Sequence, residues 1–208
     1  MAIHPIFLVE ERTQEPVEAQ LHDEASDSWA GEWEKEWAPE LERAKAEFIA
    51  KKIPQVKWPQ DLHWNWRKKM NFSKGLLGVE NFAVICRNRL QGLMMVDLTK
   101  NARLPGQIGK PLVYIDFLQA APWNRKDLFG SRQFAGVGTT LILAAIARSG
   151  HEGFQERFGL HSLPQSESYY RTKFEMSDLG PDAHKQQLRY FEASPEQARR
   201  IREELMKL

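Results

Sequence analysis

Cysteine is nearly absent: Cys86 is the only one in the chain. An internal disulfide and any multi-cysteine metal site are therefore impossible, which excludes disulfide scaffolds and zinc ribbons. No apolar run approaches the roughly 20 residues that a membrane-spanning helix needs. The start, Met1-Ala2-Ile3-His4-Pro5, lacks the cationic-then-apolar pattern of a secretory leader, so the expected address is the cytoplasm, with no membrane partner. Internal repeats and low-complexity tracts are missing. So is Gly-x-x-x-x-Gly-Lys-Ser/Thr, and the six-residue dinucleotide fingerprint does not fit, so nucleoside triphosphatases and Rossmann dehydrogenases lose ground. What is present is 208 residues with 42% hydrophobic and 27% charged side chains. That is the composition and size of one globular domain, residues 1–208, able to bury a core.

The formal net charge of +1 hides a strong sorting of charge along the chain. Residues 1–50 hold 4 basic against 13 acidic side chains, residues 51–110 hold 12 against 3, and residues 111–208 hold 13 against 12. The first two blocks are expected to attract each other. Arg67-Lys68-Lys69 and Arg87-Asn88-Arg89 are the runs suited to phosphates of a nucleic acid or a cofactor. Charge runs are more often solvated faces, and the overall balance does not favour a nucleic-acid binder.

Hydrophobic periodicity places the elements. Residues 6–9 read as a first strand, followed by a polar, acidic connection. Trp29, Trp33, Trp37, Leu41 and Phe48 recur at helical steps, giving one helix kinked at Pro39 or two helices ending before Pro54, with the tryptophans as core. A short helix is expected from Trp58 to Met70, with Pro59 in its first turn. Residues 82–86 and 93–96 form a hairpin around Arg87-Asn88-Arg89, which makes Cys86 a buried strand residue. Leu104-Pro105-Gly106 breaks the chain, and residues 112–118 carry the strongest strand signal. A helix over 135–148 stopped by Ser149-Gly150, a strand over 158–163, a short helix over 166–173 and a strand over 188–192 follow. Ser194-Pro195-Glu196-Gln197 is a capping box for a closing helix whose apolar side is Ala198, Ile201, Leu205 and Leu208. Strands alternating with helices make an α/β protein.

The chemistry concentrates in Gln133-Phe134-Ala135-Gly136-Val137-Gly138-Thr139, between a strand and a helix. Two glycines let an anion approach the backbone closely, and the first N–H groups of the helix point at it with the favourable end of the dipole. The alternative is a turn that needs glycine for a positive φ.

These residues resemble the Gln/Arg-x-x-Gly-x-Gly/Ala pyrophosphate motif of GNAT-superfamily acetyl-CoA-dependent N-acetyltransferases, and the strand before them ends, as in that family, in Gln119-Ala120-Ala121-Pro122. Residues 160–170, Leu-His-Ser-Leu-Pro-Gln-Ser-Glu-Ser-Tyr-Tyr, are similar to the family's next strand and helix with its paired aromatic-Tyr. The resemblance covers residues 80–193. It implies the GNAT acyl-CoA N-acyltransferase fold, a mixed sheet of about six or seven strands flanked by helices. It also implies a Trp-rich helical N-terminal region on the acceptor side (1–79), an acetyl-CoA-binding core (80–193) and a C-terminal helix (194–208). Two features depart from the family. Tyr170 is followed by Arg171-Thr172-Lys173-Phe174-Glu175-Met176, where the family has Tyr-x-x-x-Gly-Phe/Met. The link from Pro122 to Gln133 is also long, which suggests a loop that gates the cofactor or touches another subunit.

The implied reaction moves an acetyl group from acetyl-CoA to an amine by direct attack in a ternary complex. Leu118, Gln119 and Ala120 would pair with the pantetheine arm where the strand splays from its neighbour. Residues Gln133, Phe134, Ala135, Gly136, Val137, Gly138 and Thr139 would hold the pyrophosphate, with Arg132 and Ser166 as further contacts and no metal. Tyr170 is the expected general acid for the departing thiolate. Asp116 is the candidate base; strand alternation sets it on the face opposite Gln119. His161 and Glu167 are weaker candidates, His161 reading first as a satisfied core histidine. Alternatives are a catalytically weak CoA- or partner-binding module and an RNA- or tRNA-directed acetyltransferase. Homodimers, common in the family, are an expectation of the resemblance alone.

Overall fold

The structure, a computed structural model, describes residues 2–24 and 27–206. Its strands are β1 (Ile3–Glu10), β2 (Pro16–His22), β3 (Val79–Cys86), β4 (Arg89–Asp97), β5 (Val113–Ala120), β6 (Phe134–Ala135), β7 (Phe158–Ser162), β8 (Ser177–Asp182) and β9 (Leu188–Ala193). Its helices are α1 (Asp27–Glu32), α2 (Ala38–Ala50), α3 (Trp66–Ser73), α4 (Lys126–Phe129), α5 (Val137–His151) and α6 (Pro195–Leu205). The strands are hydrogen-bonded in the order β6-β1-β2-β3-β4-β5-β7-β9-β8, a mixed sheet of nine rather than six or seven. The additions are β2, β6 and β8. The chain divides into two compact units, Met1–Leu76 with Glu80–Met94 and Leu118–Leu141, and Leu77–Val79 with Met95–Phe117 and Ile142–Leu208.

In the first unit, β1 and β2 pair antiparallel from Ile3↔His22 to Val9↔Pro16. Part of the segment expected as a polar connection, Pro16–His22, is thus strand. Val17, Ala19 and Leu21 alternate with exposed Pro16, Glu18 and Gln20, so one polar face masks a period-two pattern. Beyond β1, β6 pairs only with Val9 and Glu10, which leaves the stretch containing Pro5 as a sheet edge. β3 and β4 join through Arg87 and Asn88, both at left-handed φ (50° and 57°), the two-residue reversal favoured by right-handed strand twist. Cys86 is buried, and burial pushes its thiol up in pKa.

Two of the three stripe tryptophans are core, as the spacing predicts: Trp33 and Trp37 are buried, with the Trp37 indole N–H donating to the Leu90 carbonyl, while Trp29 is half-buried. The irregularity is not a kink at Pro39 but a five-residue π-turn, Trp33–Trp37, between α1 and α2. Pro39 then falls in the first turn of α2, where a missing N–H costs little. Pro59 precedes a short 3-10 turn (Gln60–His63), and α3 starts only at Trp66, capped by the Asn65 side chain accepting from the Lys68 N–H. The sorted charges meet as expected. Arg67 pairs with Glu34, Lys74 with Asp27, Arg87 with Glu10 and Arg89 with Glu36.

In the second unit, β5 runs parallel to β7, and β7 and β8 flank β9 antiparallel. The fully buried Glu192 carboxylate accepts from the backbone N–H groups of Arg103 and Leu104, the Gln107 amide and the Tyr190 hydroxyl, tying down the chain around the Leu104-Pro105-Gly106 break. Gly159 is obligatory: a methyl there would lie 2.5 Å from Tyr190 Oη. α5 runs through Ser149-Gly150, the expected stop, because the Ser149 hydroxyl is buried and donates to the Arg157 carbonyl; the helix ends near Gly153 at φ 73°. The α6 capping box forms, with Ser194 and Gln197 bonded reciprocally; the reading of Leu208 lies outside the described residues.

The short helix expected over 166–173 forms, entered by a 3-10 turn (Pro164–Ser166) and widened to a π-turn over Tyr169–Lys173. The wider turn holds one extra residue, so the left-handed position that follows it falls on Glu175 (φ 47°), with Met176 buried next. Glu175 thus adopts the backbone that glycine adopts without strain. Glu175→Gly should leave the fold intact and shift chemical-denaturation stability by no more than about 1 kcal/mol, toward stabilisation. A loss above that range would show the side chain, not the backbone, to matter.

Candidate functional site

In the first unit, the long link after β5 is hydrogen-bonded to the sheet and to the glycine segment. The Ala121 N–H donates to the Gln91 carbonyl (2.8 Å). The Trp123 indole N–H and the Asn124 amide both donate to Gln91 Oε1 at 2.8 and 2.9 Å. Asn124 Oδ1 accepts from the Phe134 N–H at 2.9 Å, and the Gln133 N–H donates to the Trp123 carbonyl at 2.8 Å. Arg125 forms a buried pair with Asp61, whose carboxylate also accepts from Gln119 Nε2 at 2.8 Å; Gln119 Oε1 accepts from the Trp66 indole N–H at 2.8 Å. Gln119 is therefore 2% exposed with both ends of its amide engaged. Only its backbone remains for a ligand. The roles of Asp61 and Gln91 were not readable in the sequence, since an acid and an amide in polar stretches carry no sign of burial.

The link delivers the chain to the glycine segment. Gln133 is exposed with its carbonyl accepting the Glu11 N–H, and Phe134 and Ala135 pair with Glu10 and Val9, the Phe134 ring buried. The backbone of these three residues is largely engaged in the sheet edge. Arg132 is held by Glu11. Gly136 is exposed at φ 98°, a conformation that L side chains rarely adopt, and its carbonyl accepts the Thr140 N–H to start α5. Gly138 has ordinary φ, and the nearest atom to a methyl placed there is Leu118 Cδ2 at 4.0 Å. The fold thus requires glycine at 136 but not at 138. Gly138 is half-buried in the first turn of α5, next to Leu118 of β5, whereas Val137 before it is buried. Helix geometry gives first-turn N–H groups no intrahelical acceptor and a partial positive charge.

In the second unit, the β5–β7 ladder ends at Ile115↔Leu160, although β5 runs on to Ala120. Tyr170 is buried, its ring 5.9 Å from that of Phe191. Burial, reinforced by Tyr169, raises its phenol pKa, and no described residue hydrogen-bonds its hydroxyl. Phe191 pairs with Leu160 and Leu160 with Ile115, so Tyr170 packs on the face of Ile115. Asp116, the next residue, points to the other face, half-exposed with Lys185 Nζ at 3.7 Å. The structure does not bring Asp116 and Tyr170 together. His161 is the satisfied core histidine: Tyr114 Oη lies 2.7 Å from Nδ1 and Asp182 3.0 Å from Nε2, and burial lowers its pKa despite Asp182. Ser166 is half-buried with its N–H donated to Leu163, and Glu167 lies 3.7 Å from Arg171. Among the described residues no cluster of three or more His, Cys, Asp or Glu is placed to hold a metal, and no helix is long and apolar enough to cross a membrane.

Among solved structures, the chain is similar to the PaiA N-acetyltransferase of Thermoplasma acidophilum in complex with coenzyme A, at 12% identity and a TM-score of 0.52, over 85% of this chain and 98% of that one. The chain has the GNAT acetyltransferase fold. A candidate acetyltransferase superposes likewise, at 13% identity and a TM-score of 0.54, over 91% of this chain and 92% of the other. No family model matches the sequence, and no curated protein matches it. At such identities the likeness is one of GNAT architecture.

Proposed function

We propose that the protein transfers an acetyl group from acetyl-CoA to an amine. The observation that carries this reading is Gly138 in the first turn of α5, where a methyl would meet nothing nearer than Leu118 Cδ2 at 4.0 Å, two residues after a glycine whose φ of 98° aims the chain into the helix. The N–H groups of that turn bind the diphosphate of the cosubstrate, as helix N-termini bind phosphates generally. The backbone of Leu118, Gln119 and Ala120 pairs with the pantetheine arm, and one N–H of this strand holds charge that develops on the acyl oxygen. Acetyl-CoA supplies the thioester: the amine nitrogen forms the new C–N bond as the C–S bond breaks, Tyr170 supplies the proton that the departing sulfur takes, and the proton the amine sheds to solvent restores the phenol. The RNA-directed alternative is weakened by the ion pairs of Arg67, Lys74, Arg87 and Arg89 with the protein's own carboxylates.

Titration calorimetry with CoA, joined to thiol release from acetyl-CoA across a panel of amines, tests the reading. Gly138→Leu places a better helix former at a position where the added Cβ meets nothing nearer than Leu118 Cδ2 at 4.0 Å. It should leave the melting temperature unchanged or higher while abolishing CoA binding. Undiminished binding by this variant would place the diphosphate elsewhere.

A further inference from the structure

Two cations next to the glycine segment share one carboxylate. Arg132 Nε lies 2.7 Å from Glu11 Oε2, and Lys126 Nζ lies 2.6 Å from Glu11 Oε1. Glu11 is fixed there by its backbone, because its N–H donates to the Gln133 carbonyl at 2.9 Å, continuing the register in which Glu10 faces Phe134 and Val9 faces Ala135. An anion is thus held directly against the start of the segment to which the acetyl-transfer reading assigns a diphosphate. The cationic side chains are 39% and 54% exposed, so both have room to re-aim, whereas the strand holds Glu11 in place.

We propose that Glu11 is an affinity-determining residue that competes with the cosubstrate's diphosphate for Arg132 and Lys126. In the free protein it neutralises part of their charge. On binding, the diphosphate draws one or both cations away, and the carboxylate left behind repels it. Hydrogen bonds from Lys126 and Arg132 hold the Glu11 carboxyl below the usual carboxylate range, so the competitor stays ionised at neutral pH. The inference rests on the acetyl-CoA reading.

The experiment compares wild type with Glu11→Gln by titration calorimetry, using CoA and, separately, inorganic pyrophosphate. Glu11→Gln keeps the side-chain shape and the backbone bond to Gln133. It should tighten CoA binding by about two- to fivefold, the range an exposed ion pair supports. KM for acetyl-CoA should fall by a similar factor with kcat unchanged. Adding Arg132→Gln and Lys126→Gln to Glu11→Gln should erase the gain, as a merely structural Glu11 would not predict. Equal or weaker CoA binding by Glu11→Gln, with wild type binding CoA, overturns the competition and leaves the transfer reading standing. Wild type that binds neither CoA nor pyrophosphate overturns both. Pyrophosphate binding that tightens in Glu11→Gln without any CoA binding supports the competition for the anion and removes the cosubstrate.

Discussion

Tyr170→Phe should lower turnover by about a hundredfold or more, the lower end of what a positioned proton donor contributes, and leave the KM for acetyl-CoA nearly unchanged. The argument starts from what the substitution preserves. The ring is buried against Phe191 and Phe174, and Phe fills the same space. No described residue loses a hydrogen bond, because none is made to the hydroxyl, so a stability change is not expected to confuse the result. What is removed is one O–H. A departing thiolate of pKa near ~8.5 leaves more readily once protonated, and a phenol raised above its ordinary value by burial still holds its proton well past neutrality. The sign matters: a raised pKa keeps the neutral, donating form present as pH rises, so Tyr170 should cause no fall in turnover between about pH 7 and 10. Steady-state rates of wild type and variant across that interval decide it. Equal rates would take the acid role from Tyr170, and an alkaline fall present in wild type and absent in the variant would contradict the direction of its shift.

Asp61→Ala is the substitution with the largest expected effect on stability, about 3–5 kcal/mol, the cost of leaving a buried charge without its partner. The side chains of Asp61 and Arg125 are 5% and 10% exposed. Without the carboxylate, Arg125 keeps Asp127, which is far more accessible, and Gln119 loses the acceptor of its amide N–H. Urea denaturation should show a lower midpoint at an unchanged slope. Replacing both partners, Asp61→Leu with Arg125→Met, should recover more than half of the loss, because the desolvation of two ions vanishes along with their attraction. A single-variant cost below about 1 kcal/mol would mean that the pair is solvated and behaves as a surface bridge.

The sequence was most readable where chemistry is local. The capping box at Ser194, the reversal at Arg87-Asn88, the apolar run of β5 and the glycine segment all depend on a few neighbouring residues, and all appear where expected. The complementary charge blocks were also legible, because Glu34 and Arg67 find each other through long-range sign rather than through pattern. What could not be read depends on burial or on register over distance. β2 hid behind its polar face, and β6 has two residues, too few for any period. The π-turns at Trp33 and Tyr169 shift a helix by one residue without a marker in composition. The resemblance assigns Gln119 to the cofactor, yet its side chain is committed to Trp66 and Asp61, partners 53 and 58 residues away.

Pro5 has a consequence for how the molecule meets its own copies. The Glu11 N–H turns toward β6 while the Glu10 N–H turns back toward Glu15 in the β1–β2 hairpin, so by alternation the odd positions of β1 face outward at the sheet's border. Pro5 is one of them, between exposed Ile3 and Phe7. An incoming ribbon would find no amide proton at the midpoint of that border. One ring thereby guards an otherwise sticky margin against zipper-like growth, letting apolar side chains stand in water without inviting fibrils.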